Sequence, residues 1–142
     1  MMEIKQQKNL SFNGVDIFQV SYISKQPYNG TASVNLELNP KVFYPDGKPN
    51  EFSIIIEASI NCPDYYEITF AASGRFTIDP SLTDPVRKSF INNNAPAILF
   101  PYIRAFVSTF TSNLGSSVGA VLIPPHFFKG DLEVIKDTEI SD

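Results

Sequence analysis

His126, Cys62, the pair Glu57 and Glu67, and the glycines of residues 115–119 are the places where residue type and spacing allow chemistry. A thiol becomes a nucleophile when an imidazole takes its proton. Here His126 is the only histidine and stands between Pro125 and Phe127, while Cys62 precedes a proline in the turn sequence NCPD. That single cysteine excludes an internal disulfide and any cysteine-based zinc cluster, and it fits a reducing compartment. Glu57 and Glu67 are spaced to face each other on neighbouring strands. A carboxylate pair doing acid and base work sits in an apolar cleft that shifts a pKa; these two fall on the polar side of their strands, where solvation accounts for them. The glycines at 115 and 119 follow a helix instead of opening one, so they make no phosphate cradle. The residues offer no catalytic site, metal site or cofactor site, and the expectation is a binding protein, not an enzyme.

Composition narrows the classes further. The 142 residues suit one domain with a core of modest size. Eleven basic residues against fifteen acidic ones leave a net charge of -4, which argues against a nucleic-acid partner. The opening MMEIKQQKNL is polar and lacks the apolar centre of a signal peptide. No stretch approaches the ~18 apolar residues of a membrane span. A cytoplasmic protein is the default expectation.

The elements that would position any site are readable from periodicity. After a loose polar lead-in over residues 1–11, alternation begins at Asp16, with Phe18, Val20 and Tyr22 on one side of a first strand. The turn chemistry of KQPYNGT separates it from a second strand in which Val34, Leu36, Leu38, Val42 and Tyr44 share one parity; Pro40 marks an edge or a bulge. PDGKPN turns the chain into a third strand with Phe52, Ile54, Ile56, Ala58 and Ile60 inward. A fourth follows over residues 65–78, with Tyr66, Ile68, Phe70, Ala72, Phe76 and Ile78 inward and Gly74 at a bulge or a close approach. Thr83 then caps a short helix carrying Asp84 and Pro85 in its first turn, which Asn92 to Asn94 breaks. Pro96 opens the long helix, apolar from Ile98 to Leu114 except for Arg104, with Pro101 either kinking it or marking its first turn. Residues 129–142, rich in Asp and Glu, read as a solvated acidic tail beyond a single domain over 1–128.

These elements make an α+β domain: a four-stranded antiparallel sheet with one long and one short helix on its apolar face. The long helix is too apolar for that job alone. Its arc of large side chains covers roughly 200°, wider than the stripe that one partner buries. A sheet takes about half of it. The other half, including Phe100, Tyr102, Ile103, Phe106, Val107 and Phe110, is expected to pack on a second copy of the chain, unless the short helix and residues 120–128 fold back over it. Aromatic residues are also in surplus at strand ends and turns, among them Tyr28, Phe43, Tyr44, Tyr65, Tyr66, Phe127 and Phe128. They suit a groove of aromatic anchors beside a strand edge, which would hold extended apolar peptide without demanding one sequence. A small-ligand or lipid pocket, or a purely structural interface, would use the same surplus.

The wording of several segments resembles the SecB family of export chaperones. NAPAILFPYIRAFVSTFTSNLG is similar to that family's main helix with its ILFPYAR-like phrase; GRFTI resembles its GxFxI strand end, and LIPPHFF its LxPxxF segment. The likeness spans residues 34–128. It implies a Greek-key antiparallel sheet with helices on one face, sandwiched between protomers in a homotetramer built as a dimer of dimers. The implied activity is ATP-independent holding of unfolded precursor polypeptides before export, in grooves whose counterparts here are Val34, Leu36 and Leu38 with Phe127 and Phe128; Tyr44 and Tyr66 join the candidates as neighbouring aromatics. The family's partner is the translocase ATPase SecA, reached through acidic residues on strands one and four. Here only Glu67 is acidic in those places, and the closing helix of the family is replaced by GDLEVIKDTEISD. A relative with another client, such as an antitoxin, fits the same words.

Overall fold

A computed structural model of the chain describes residues 9–27, 30, 32–115, 118–123 and 132–135. Among these residues there are five strands: β1 (Leu10–Ser24), β2 (Asn35–Phe43), β3 (Glu51–Cys62), β4 (Tyr66–Ile78) and β5 (Glu133–Ile135). Their order in the sheet is β1-β4-β3-β2-β5. β2, β3 and β4 form a meander, and β1 lies antiparallel beside β4, which gives the Greek-key arrangement. The tight turn from β3 to β4 is closed by the Tyr65 amide donating to the Cys62 carbonyl at 2.9 Å, with Asp64 in the left-handed region at φ 73°.

Alternation decides which face is buried. Phe52, Ile54, Ile56, Ala58 and Ile60 of β3, and Tyr66, Ile68, Phe70, Ala72, Phe76 and Ile78 of β4, are all core residues, as their parity predicts. β1 departs from the simple reading in two ways. It begins at Leu10, inside the expected lead-in, and its register shifts twice, between Phe12 and Gly14 and between Ile17 and Gln19. Each extra residue reverses the parity. Ile17, opposite Ala72, therefore joins the side that holds Val20 and Tyr22, while Phe18 at the bulge is 59 % exposed.

The helices also correct the expectation. α1 (Asp84–Ser89) does not stop at the asparagines; it passes through a π-helical turn (Phe90–Asn94) straight into α2 (Ala95–Ser112). The cause lies in Pro96, which has no N–H and whose ring would meet the carbonyl four residues earlier in a regular α-helix. The wider turn makes room, and the Ala95 amide bonds back to Phe90 instead. Thr83 occupies the cap position through its carbonyl, which accepts from the Arg87 amide at 2.8 Å, without a side-chain cap. Pro101 lies within α2, exposed, and Gly115 ends the passage with φ 97°.

α2 is fastened to the sheet at Gly74. A Cβ there would stand 2.8 Å from Leu99 Cδ1, so glycine is what lets the helix come this close. Leu99, Ile103 and Val107 are buried along this line, and aromatic pairs continue it outwards: Phe70 with Phe106 at 5.6 Å and Phe12 with Tyr102 at 5.0 Å between centroids.

Two later segments return to the domain. Residues 118–123 lie along α2, held where Thr111 Oγ accepts from the Val121 amide at 2.8 Å and where Arg104 Nε donates to the Ile123 carbonyl at 2.8 Å. Val118 and Ile123 are buried there, so the chain itself covers part of the helix's surplus arc. The second segment is β5. What reads as solvated acidic tail contains a strand paired in parallel with β2, Lys41 opposite Glu133 and Phe43 opposite Ile135. The Leu132 amide donates to Asn92 Oδ1 at 2.9 Å just before it. β5 has three residues. Ordering so few costs about 3–6 kcal/mol of backbone entropy, against roughly 0.5–1.5 kcal/mol per ladder bond and about 2 kcal/mol for Ile135. Its attachment is close to balanced.

Candidate functional site

Among the described residues, the types that allow catalysis are not brought together. Cys62 is fully buried, and burial pushes its thiol pKa up, with the Asp64 charge adding to the shift. That is the reverse of what activates a nucleophile. His126 lies outside the described residues. Glu57 and Glu67 do not face each other: Glu57 sits opposite Ala71 of β4, and Glu67 opposite Asn61 of β3. Each has a lysine instead, Lys41 at 3.8 Å from Glu57 and Lys25 at 3.3 Å from Glu67. Among the described residues no group of three or more His, Cys, Asp or Glu is placed to hold a metal, and no helix is long and apolar enough to cross a membrane.

What the fold does assemble is apolar surface at the two sides of the sheet. On the β2 side, Leu36, Leu38, Pro40 and Val42 share the core face opposite Ile60, Ala58, Ile56 and Ile54. Only Val42 is fully buried; Leu36 and Leu38 are half-buried, and Val34 just before the strand is exposed. Beyond Val42 a cleft of about 400 Å³ opens between β2, β5 and α1, lined by Val42, Tyr44, Arg87, Ile91, Leu132 and Val134 among others. Tyr44 stands at this cleft with its hydroxyl pKa raised by burial, partly offset by the Arg87 charge. Arg87 itself is anchored, its Nη2 donating to the Pro49 carbonyl at 3.0 Å.

The β1 side is different in kind. Phe18, Val20 and Ile23 are exposed along the strand, and Tyr102 is exposed on the helix above it. Phe106 and Phe110, stacked at 5.6 Å, are half-buried beside it.

Not every candidate residue stays available. Tyr66 is 1 % exposed, a core ring on β4 and not a groove residue, because its parity is the inward one. Phe100, Ile103 and Val107 are 6 %, 0 % and 2 % exposed within one chain, so the sheet and residues 118–123 use the part of the arc they occupy. Tyr102, Phe106 and Phe110 keep surface to offer. Phe127 and Phe128 lie outside the described residues. Periodicity passed over the cleft with Arg87 and Ile91, and the exposed Phe18 and Ile23. The cleft depends on β5 coming back from the far end of the chain, and the exposure of Phe18 on a bulge; the aliphatic Leu132, Val134 and Ile135 within an acidic stretch are the one local signal for the former.

Comparison with known proteins bears on the fold. No family model matches the sequence. An uncharacterised protein of the archaeon Methanocaldococcus jannaschii is 29 % identical over 113 residues, covering 75 % of this chain and 70 % of the relative. Among solved structures, a SecB-like chaperone of Mycobacterium tuberculosis, in complex with a ChAD peptide from the HigA1 antitoxin, superposes with a TM-score of 0.66 over 84 % of this chain and 88 % of the other, at 14 % identity. A protein of unknown function from Streptococcus agalactiae reaches a TM-score of 0.49 at 18 % identity over 81 % of this chain and 96 % of its own, a likeness too loose to argue from. The chain therefore has a SecB-like α+β fold, with β5 added to the sheet that the sequence predicts.

Proposed function

We propose that the protein is an ATP-independent holdase, a cytoplasmic member of the SecB family that binds unfolded polypeptide and catalyses nothing. The observation that carries this reading is the half-open apolar face of β2. Val34, Leu36 and Leu38 lead along an edge that up to Pro40 has no outer neighbour among the described residues, towards the cleft at Tyr44, a path suited to an extended chain with scattered apolar side chains. Such a path takes affinity from backbone pairing and burial, so it tolerates many sequences. Phe127 and Phe128 are proposed to extend it.

The antitoxin peptide held by the M. tuberculosis chaperone supports a polypeptide client here too. Export through SecA is the finer alternative. It would use Glu67; the antitoxin peptide in the structural neighbour favours a non-export client such as an antitoxin. Assembly into a dimer of dimers is expected to use the β1 edge and the outward part of α2, with Tyr102, Phe106 and Phe110 between protomers. A lipid or small apolar ligand in the cleft of about 400 Å³ is the second reading.

A slight excess of the protein added without nucleotide to a denatured, aggregating client should suppress light scattering. Paired Val34→Asp and Leu38→Asp substitutions should abolish that while leaving the oligomer mass unchanged. Unchanged aggregation with the wild-type protein would sink the holdase reading, and suppression that a fatty acid competes away would favour the second.

A further inference from the structure

We propose that β5 is a built-in occupant of the acceptor edge of β2, and that an extended client segment takes its place there by exchange. The inference rests on the holdase reading and adds how its site is controlled. β2 has nine residues, and β5 covers the last three, from Lys41 to Phe43. The rest of that edge, residues 35–40, has no outer neighbour among the described residues. A strand that pairs with the whole of β2 must therefore displace β5.

The contacts of β5 state what the edge accepts. Its backbone runs parallel to β2, and Val134 stands in the cleft with Val42, Tyr44 and Ile91. Ile135, opposite Phe43, is nearly buried, while Glu133 lies opposite Lys41. An extended segment with an acidic residue followed by two aliphatic ones would fill the same three register positions. The backbone part of the match is common to any client. With three residues and one buried side chain, β5 closes the edge without locking it.

Two measurements test this on the full chain, with a reduced, carboxymethylated unfolded protein as the client. Rapid hydrogen exchange on the wild-type protein should show Glu133 to Ile135 losing protection when client binds, while Asn35 to Phe43 gain it. Ile135→Asp, which puts a charge where the side chain is buried, should bind the same client about tenfold more tightly, because the open form no longer has to be populated from the closed one. Client bound with the β5 amides still protected overturns the proposal, as does Ile135→Asp binding no more tightly than wild type with an unchanged unfolding midpoint. If the variant does not fold, the wild-type exchange experiment decides alone. Failure of the wild-type protein to bind any client is a separate outcome, which removes the holdase reading itself and this inference with it.

Discussion

Along β1 the outer edge of the sheet runs for fifteen residues, is shifted twice in register, and leaves Phe18, Val20 and Ile23 exposed; β2 presents nine residues, includes Pro40 without an N–H, and has β5 against its end. Both are edges with unpaired backbone groups, and an unprotected edge invites another strand. The β1 edge is long and has no outer neighbour among the described residues, which suits a permanent neighbour such as a second copy. The β2 edge is short and closed by a segment of near-balanced stability, which suits a partner that comes and goes. Under the proposed reading, the contrast would assign assembly to one edge and client binding to the other, two roles that a reading of the long helix alone places together.

The largest effect should come from the anchor that both sides share. Gly74→Val sets two methyls against Leu99, where even a Cβ is 2.8 Å from Cδ1, and should cost about 3 kcal/mol as α2 lifts from the sheet. Urea denaturation measures it; an unchanged midpoint would mean that the close approach at Gly74 does not matter.

Next in size is Thr111→Val, which leaves the Val121 amide without its acceptor at a buried position and should cost about 1–3 kcal/mol. Release of residues 118–123 should bare a further flank of α2 and raise binding of an apolar dye, without altering β1. A dye response equal to wild type would show the strap to be held by something else.

On the β1 side, Val20→Lys combined with Ile23→Lys should leave stability within about 0.5 kcal/mol, since both side chains are exposed. The particle mass should fall while aggregation suppression through β2 persists. Loss of client binding with the mass intact would reverse the assignment of the two edges.

The smallest effect is one of pH. Asp79 accepts from the Ser81 amide at 2.9 Å and the Ser81 hydroxyl at 2.7 Å, and these bonds lower its pKa below the ordinary carboxylate value. Because the folded-state pKa is the lower one, its contribution is present above the unfolded value and lost as pH falls through the folded one. Asp79→Asn should therefore narrow its stability difference from wild type as the medium is acidified. A difference that stays constant across that window would show that Asp79 does not titrate with folding.

Much of the fold was open to reading because its signals are local. β2, β3 and β4 alternate cleanly, and the residues that face inwards can be named from parity; the same argument, applied strictly, would have removed Tyr66 from the groove. The candidate surface was harder. Leu36 and Leu38 lie on the face that their parity predicts, but whether a face stays open depends on what returns to cover it. Residues 118–123 and β5 both return from positions distant in sequence, and neither has a periodic pattern long enough to announce itself.

The residues alone determined that this chain builds an antiparallel sheet with one greasy face and a helix with more apolar surface than a sheet can take. Those follow from side-chain order, which acts at the scale of a turn or a strand. Tertiary structure decided the rest: bulges that turn Phe18 outward, and the parallel pairing of β5 that shuts one end of β2. Each depends on a neighbour brought close only by folding, and so on contact energies that no local pattern contains.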